Sequence, residues 1–190
     1  MGPEFSAVVV TRGDVDVSPI VDRLLMGPVA EVKVWDNSKR QNLKVFGRYV
    51  GVLLARYPVV YVQDDDCVVD VEALWEKYEP GVLTTNMPVD RRAQYPVGAL
   101  MGWGAIFDWF LPMQAFARYL AHYPKDEFFL RECDRIVTGL TSLKLVDVPV
   151  THLPYAEGAD RLGSDPNHQK DLNEVRCRVA AIGGQPWPIS

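Results

Sequence analysis

Short apolar, β-branched runs alternate along this chain with stretches in which apolar side chains recur every three to four positions. Val8-Val9-Val10 and Val59-Val60-Tyr61-Val62 are continuous apolar runs, the pattern of strands buried on both faces. Glu31 to Trp35 alternates with period two, and Val82 to Thr85 and Leu145 to Val148 read as further strands. Between them the spacing predicts a helix over 18–26, with Ser18 as N-cap and Pro19 in its first turn. A second is predicted over 42–57, with Leu43, Phe46, Val50, Leu53 and Tyr57 on one face and Pro58 ending it. Asp70 caps a short helix carrying Val71, Leu74, Trp75 and Tyr78. Pro112 starts a helix through Phe116 and Leu120. Asp126 caps another, in which Phe129, Cys133, Ile136 and Leu140 share one side. Ser164-Asp165-Pro166 opens a last helix with Leu172, Val175, Val179 and Ile182 inward. The stretch from Val97 to Phe110, with Gly98, Gly102 and Gly104, reads as a strand or a loop.

Strand and helix in alternation predict an α/β fold, a mostly parallel central sheet with helices on both faces. Ligands of such sheets bind beyond the carboxyl ends of the strands. Three predicted strand ends carry polar clusters: Thr11-Arg12-Gly13-Asp14, Asp36-Asn37-Ser38 and Asp64-Asp65-Asp66. They are expected to converge on one crevice.

Composition narrows the function classes. A chain of 190 residues suits one domain, read as 6–190, with residues 1–5 taken for a cloning remnant. A net charge of -5 gives no general attraction for nucleic acid or an anionic membrane. Cys67, Cys133 and Cys177 form no C-x-x-C pair, so neither a disulfide framework nor a zinc knuckle is indicated; a reducing, cytoplasmic setting is expected. No apolar run approaches the roughly 20 residues that span a bilayer, so no membrane partner is expected.

The acidic triplet carries the chemistry. Three consecutive aspartates leaving a buried strand repel one another unless a counter-charge is supplied. A divalent cation is the simplest remedy, because hard cations take carboxylate oxygens. The competing reading is an acidic turn with solvated carboxylates, but the position at a strand exit favours the cation. Such a cation bridges phosphate oxygens and neutralises a diphosphate leaving group.

Here the chain resembles a known family. Val59 to Asp66, with its Asp-x-Asp at Asp64 and Asp66, is similar to the metal and nucleotide-sugar motif of GT-A glycosyltransferases. The two upstream clusters fall in the order that family shows, and the similarity of arrangement extends from Val8 to about Val179. The resemblance implies a GT-A (Rossmann-like) fold and a glycosyltransferase moving a sugar from a UDP-sugar to a hydroxyl acceptor, with Mn²⁺ or Mg²⁺ as cofactor. It implies that Asp66 meets the metal directly and that Asp64 and Asp65 share metal and ribose contacts. Thr11, Arg12, Gly13, Asp14, Asp36, Asn37 and Ser38 would line the base and ribose, with Asp14 and Asp36 accepting hydrogen bonds.

Other roles stay open between function and packing. Arg12 or Arg48 meets a phosphate, or each is a surface charge. His168 is a further metal ligand by the resemblance, or it flanks the core face one turn before Leu172. Asp134 is the candidate base for an inverting reaction, or it belongs to a salt-bridged helix face with Glu127 and Arg131; a retaining enzyme needs no such base. Trp103, between Gly102 and Gly104, offers its indole to a sugar or base, or packs in a tight turn. A nucleotidyltransferase is the runner-up, against which Thr11 to Asp14 offers one Gly and no Lys. A non-catalytic sugar- or cation-binding module is the third reading. The acceptor class is not legible; a modified DNA base is a minor option resting on Lys39-Arg40 and Arg91-Arg92.

Overall fold

The computed structural model describes residues 5–92, 101–154 and 168–185. Strand β1 (Phe5–Thr11) is buried throughout and leads through a turn to helix α1 (Ser18–Leu25) and strand β2 (Val29–Asp36). A 3₁₀ turn (Lys44–Phe46) runs into α2 (Gly47–Leu53), then β3 (Val59–Asp64). There follow β4 (Cys67–Val69), α3 (Val71–Trp75), β5 (Leu83–Asn86) and α4 (Val89–Arg92). The second half contains β6 (Ala105–Asp108), α5 (Phe110–Leu120), α6 (Glu127–Leu140), β7 (Leu143–Val146), β8 (Val150–His152) and α7 (His168–Ala181).

Six strands form one sheet in the order β2-β1-β3-β6-β5-β7, and β4 pairs with β8 in a separate ribbon. In the main sheet β2, β1 and β3 are mutually parallel, as are β5 and β7, while β6 runs against both of its neighbours. Register decides what this does for function. Val10 lies beside both Trp35 and Asp64, and Thr11 lies beside Asp36, so the three polar strand exits end level on one edge.

Each buried strand divides its side chains between two cores, as the pleat requires. Val8, Val60 and Val62 enter a core with Tyr49 and Val52 of α2, Phe116 of α5, Phe129 and Ile136 of α6, and Val175 of α7. Ala7, Val9 and Tyr61 enter the opposite core with Ile20 and Leu24 of α1 and Leu74 of α3. Helices therefore cover both faces, and the expected α/β architecture holds. Among the described residues no helix is long and apolar enough to cross a membrane.

Several local expectations change. Phe5, set aside with residues 1–5, is the first residue of β1; it is fully buried and stacks on Trp75 at 4.7 Å. Burying a side chain of that size contributes about 1.5–3 kcal/mol, so Phe5 belongs to the fold. Ser18 is not the N-cap of α1: Val17 is, and Asp16 Oδ1 accepts from the Ser18 amide instead. Asp70 and Asp126 do cap, accepting from the amides of Ala73 and Phe129. The helix expected over 42–57 shrinks to α2 and turns a different face inward. Arg48, Tyr49 and Val52 are buried there and Leu53 is 56% exposed. Of the ambiguous stretch before Phe110, Ala105–Asp108 form β6 and 97–100 lie outside the described residues; the β4–β8 ribbon carries no pattern in the sequence. Ser164 to Pro166 lie outside the described residues.

The sheet edge also carries an acid-sensitive tie. Glu31 Oε1 accepts from the Ser6 hydroxyl and from the Arg56 amide, and its Oε2 pairs with Lys33 at 2.8 Å. Burial pushes the Glu31 carboxyl up, but the bonds from Lys33, Arg56 and Ser6 outweigh it and hold the group at about 2. A folded value below the unfolded one means that stability from Glu31 is complete above about pH 4.5 and is lost as pH falls towards 2. Urea unfolding of wild type and Glu31→Gln should therefore differ most at pH 5 and above and converge towards pH 2.

Candidate active site

Asp64 ends β3 at the sheet's central exit, where its neighbours hold it from two sides. Its backbone amide donates to Gly102 O at 2.9 Å, which brings the chain entering β6 against the triplet. A Cβ on Gly102 would lie 2.0 Å from Asp64 Oδ2, so the carboxylate occupies space that only glycine leaves. Gln63, buried beneath, accepts from the Tyr61 hydroxyl and donates to Asp64 O and Cys67 O, fixing both ends of the acidic turn.

The guanidinium of Arg48 reaches Asp64 from α2. It is wholly buried, bonds Asp64 Oδ1 through Nη2, and pairs with Asp134 Oδ2 of α6 through Nη1 at 3.0 Å. Tyr49 completes the group by donating its hydroxyl to Asp134 Oδ1 at 2.7 Å. Burial works against the charge of Arg48, but Asp134 and Asp64 more than restore it, so the cation persists. Arg48 is thus not a surface charge but a buried cation facing two carboxylates. Asp134 has both oxygens engaged. The carboxyl of Asp64 is raised to about 6: burial is the largest cause, Arg48 opposes it, and Asp66, Asp134 and Asp65 add to it.

The other two aspartates differ from Asp64. Asp65 is buried, and its Oδ2 is 3.4 Å from the Arg12 amide, linking the β3 exit to the β1 exit. Asp66 is half-buried, yet its Oδ1 is shielded from solvent and has no hydrogen-bond partner among the described residues. A shielded carboxylate oxygen without a donor is costly unless a ligand supplies one. Hard carboxylate oxygens suit Mg²⁺ or Mn²⁺, which commonly share their ligands with substrate phosphates. The residues present fit such a cation through Asp66 and its neighbour Asp65. His168 opens α7 and is half-buried. Among the described residues no three His, Cys, Asp or Glu side chains gather into a metal-holding group.

The upstream clusters form the crevice's other wall. Gly13 has φ +85°, a conformation open to glycine, and a Cβ there would strike Ser38 Oγ at 2.2 Å. Thr11 Oγ1 accepts from the Gly13 amide at 2.9 Å, and Arg12 pairs with Asp14 at 3.2 Å. Asp36 accepts from the Ser38 hydroxyl and amide and pairs with Lys39; these contacts hold its carboxyl at about 2. Asn37 is a packing residue: its amide oxygen accepts from Trp35 Nε1 and the Leu43 amide, and its nitrogen donates to Lys44 O. The sequence brings it to the right edge, but its side chain is spent on the loop.

Trp103 is half-buried, packs against the α1-side core, and meets His152 edge-on at 5.1 Å. Gly104 has φ +97° and lies against Tyr61 and Val69, a turn that admits no larger residue without strain. Two supporting residues were not singled out from sequence. Asn86, fully buried at the β5 exit, donates to Trp103 O and Val148 O and accepts from the Val148 amide. Its place at a strand exit, in Thr84-Thr85-Asn86, is the signal that points to it. Tyr49 carried none, because its partner lies 85 residues away. Beside the crevice, Asp90, Asp147, Pro149 and His152 wall a further cavity.

A six-stranded sheet with one reversed strand, helices on both faces and polar exits level on one edge defines a GT-A (Rossmann-like) α/β fold. The chain is similar to the solved structure of TarS residues 1–349 from S. aureus in complex with UDP-GlcNAc. The TM-score is 0.52 at 12% identity, over 95% of this chain and 66% of that one. It is also similar, with a TM-score of 0.47 and 10% identity over 91% of this chain and 95% of the other, to a protein from Bacillus anthracis described as a glucose-1-phosphate thymidylyltransferase, in complex with sucrose. No protein-family model matches the chain, and no curated protein does. The likeness to TarS, at 12% identity, shows the fold alone.

Proposed function

We propose that the chain is a metal-dependent glycosyltransferase that moves a sugar from a nucleotide-sugar, UDP-linked, to a hydroxyl acceptor. The observation that carries this reading is the acidic exit of β3, central in the sheet and level with two other polar exits, with a shielded oxygen of Asp66 awaiting a partner. The similarity to TarS, solved with UDP-GlcNAc, supports the fold on which the reading rests.

Each wall then has a task. Asp66, with Asp65, would hold a divalent cation, which when bound neutralises the leaving diphosphate. Asp36 and Asp14, at the ends of the crevice's other wall, would accept from the base and ribose. Trp103, which packs against His152, and the cavity walled by Asp147 and His152 would serve the acceptor. Asp134 spends its carboxylate on Arg48 and Tyr49, which supports a holding role over proton abstraction. Of the basic pairs that a DNA acceptor would need, Lys39 is bound to Asp36 and Arg40 lies over Trp35 at 5.0 Å, which disfavours phosphate contacts from that pair.

Thermal unfolding with UDP and a panel of UDP-sugars, with and without Mn²⁺, tests this. A nucleotide present at 100 times its dissociation constant should stabilise the chain by about 2.7 kcal/mol. The shift is expected with Mn²⁺ and should be reduced by chelation. Absence of any shift across the panel would sink the reading. On turnover, release of UDP supports glycosyl transfer, and release of pyrophosphate assigns a nucleotidyltransferase.

A further inference from the structure

The three aspartates are not equivalent, and Arg48 is the reason. A fully buried guanidinium is costly without counter-charges, and this one has two, Asp64 from β3 and Asp134 from α6. Tyr49 and Asp134 tie α2 to α6, and Asp64 ties that pair to the β3 exit. Three elements far apart in sequence thus meet at one cation. Asp64 Oδ1 is consumed by Arg48, whereas Oδ1 of Asp66, two residues on, is shielded and has no partner among the described residues.

Resting on the glycosyltransferase reading, we propose that Arg48 is a positioning residue: it takes Asp64 as its counter-ion and so anchors the strand exit that aims Asp66 at the metal and diphosphate. The acidic motif then divides its labour. Asp64 is the fixed post, and Asp66 is the ligand. This departs from the metal contact that the resemblance implies for Asp64. It also gives Asp134 a task, since without it Arg48 would carry one counter-charge in place of two.

The test compares variants by Mn²⁺ electron paramagnetic resonance and by calorimetric UDP binding with and without Mn²⁺; neither depends on turnover. Asp66→Asn should abolish the Mn²⁺ dependence of UDP binding. Asp64→Asn should keep it, with Mn²⁺ affinity reduced by about 10- to 100-fold, the scale for loss of a group that orients a ligand. Arg48→Lys should restore much of the affinity lost in Arg48→Met, which a role in packing alone would not produce. If Arg48→Met does not fold, the two aspartate variants decide. Loss of all Mn²⁺ dependence in Asp64→Asn, or its persistence in Asp66→Asn, overturns the division of labour. A wild-type chain that binds neither Mn²⁺ nor UDP instead brings down the glycosyltransferase reading itself, and this assignment with it.

Discussion

Replacing Arg48 with methionine is expected to destabilise the chain by about 3–5 kcal/mol, the scale seen when one partner of a buried ion pair is removed. The methionine fills much of the same volume, so the loss is electrostatic. Asp64 and Asp134 would face each other across an apolar gap with no positive charge between them. Equilibrium urea unfolding at neutral pH measures it. A change under 1 kcal/mol would show that the network is solvated in solution. Asp134→Asn should cost less, because Arg48 keeps Asp64 and Tyr49 can still bond the amide.

The second large effect is expected at Gly102, on the functional side of the ledger. Alanine there places a Cβ 2.0 Å from Asp64 Oδ2, so either the carboxylate or the strand entry must move. Asp64 is held by Arg48 on its other oxygen and by Gly102 O at its amide, leaving it little room to retreat. Overpacking of this kind costs about 1–3 kcal/mol, which a folded chain can absorb. Gly102→Ala should therefore fold, with a lowered melting temperature, and lose Mn²⁺-dependent UDP binding by calorimetry. Retention of wild-type binding would mean that the position of Asp64 is not critical. Alanine at Gly81, where a Cβ meets nothing within 4 Å but φ is +78°, is the control for backbone strain without crowding.

The elements that the sequence announces are those whose cause is local. Val8-Val9-Val10 and Val59 to Val62 read as strands because both faces are buried, and Asp126 reads as a cap because its partner is three residues on. The level alignment of the three polar exits follows from parallel pairing, so their shared edge is legible in the sequence. What stayed hidden is nonlocal. Arg48 looks like a surface charge in any window of sequence, and its burial makes sense only once Asp64, sixteen residues away, and Asp134, on another helix, are seen beside it. For the same reason α2 buries a face that apolar spacing does not mark, since a helix that buries an arginine shows no simple apolar stripe. The β4–β8 ribbon pairs three residues with three, too few to show a period, and Asn37 betrays its packing role only through contacts with Trp35, Leu43 and Lys44.

The reversed direction of β6 has its own consequence. Because this strand runs opposite to β3, the chain meets the acidic exit on its way into the sheet, through Met101 to Gly104, and departs at the far pole, where Asp108 is clasped by Tyr78 and Gly81. One short hairpin-less strand therefore behaves as a rod pinned at its distal tip, and lengthening the chain ahead of Ala105 would register at the carboxylates while the same insertion after Asp108 would be felt only at the opposite end of the molecule.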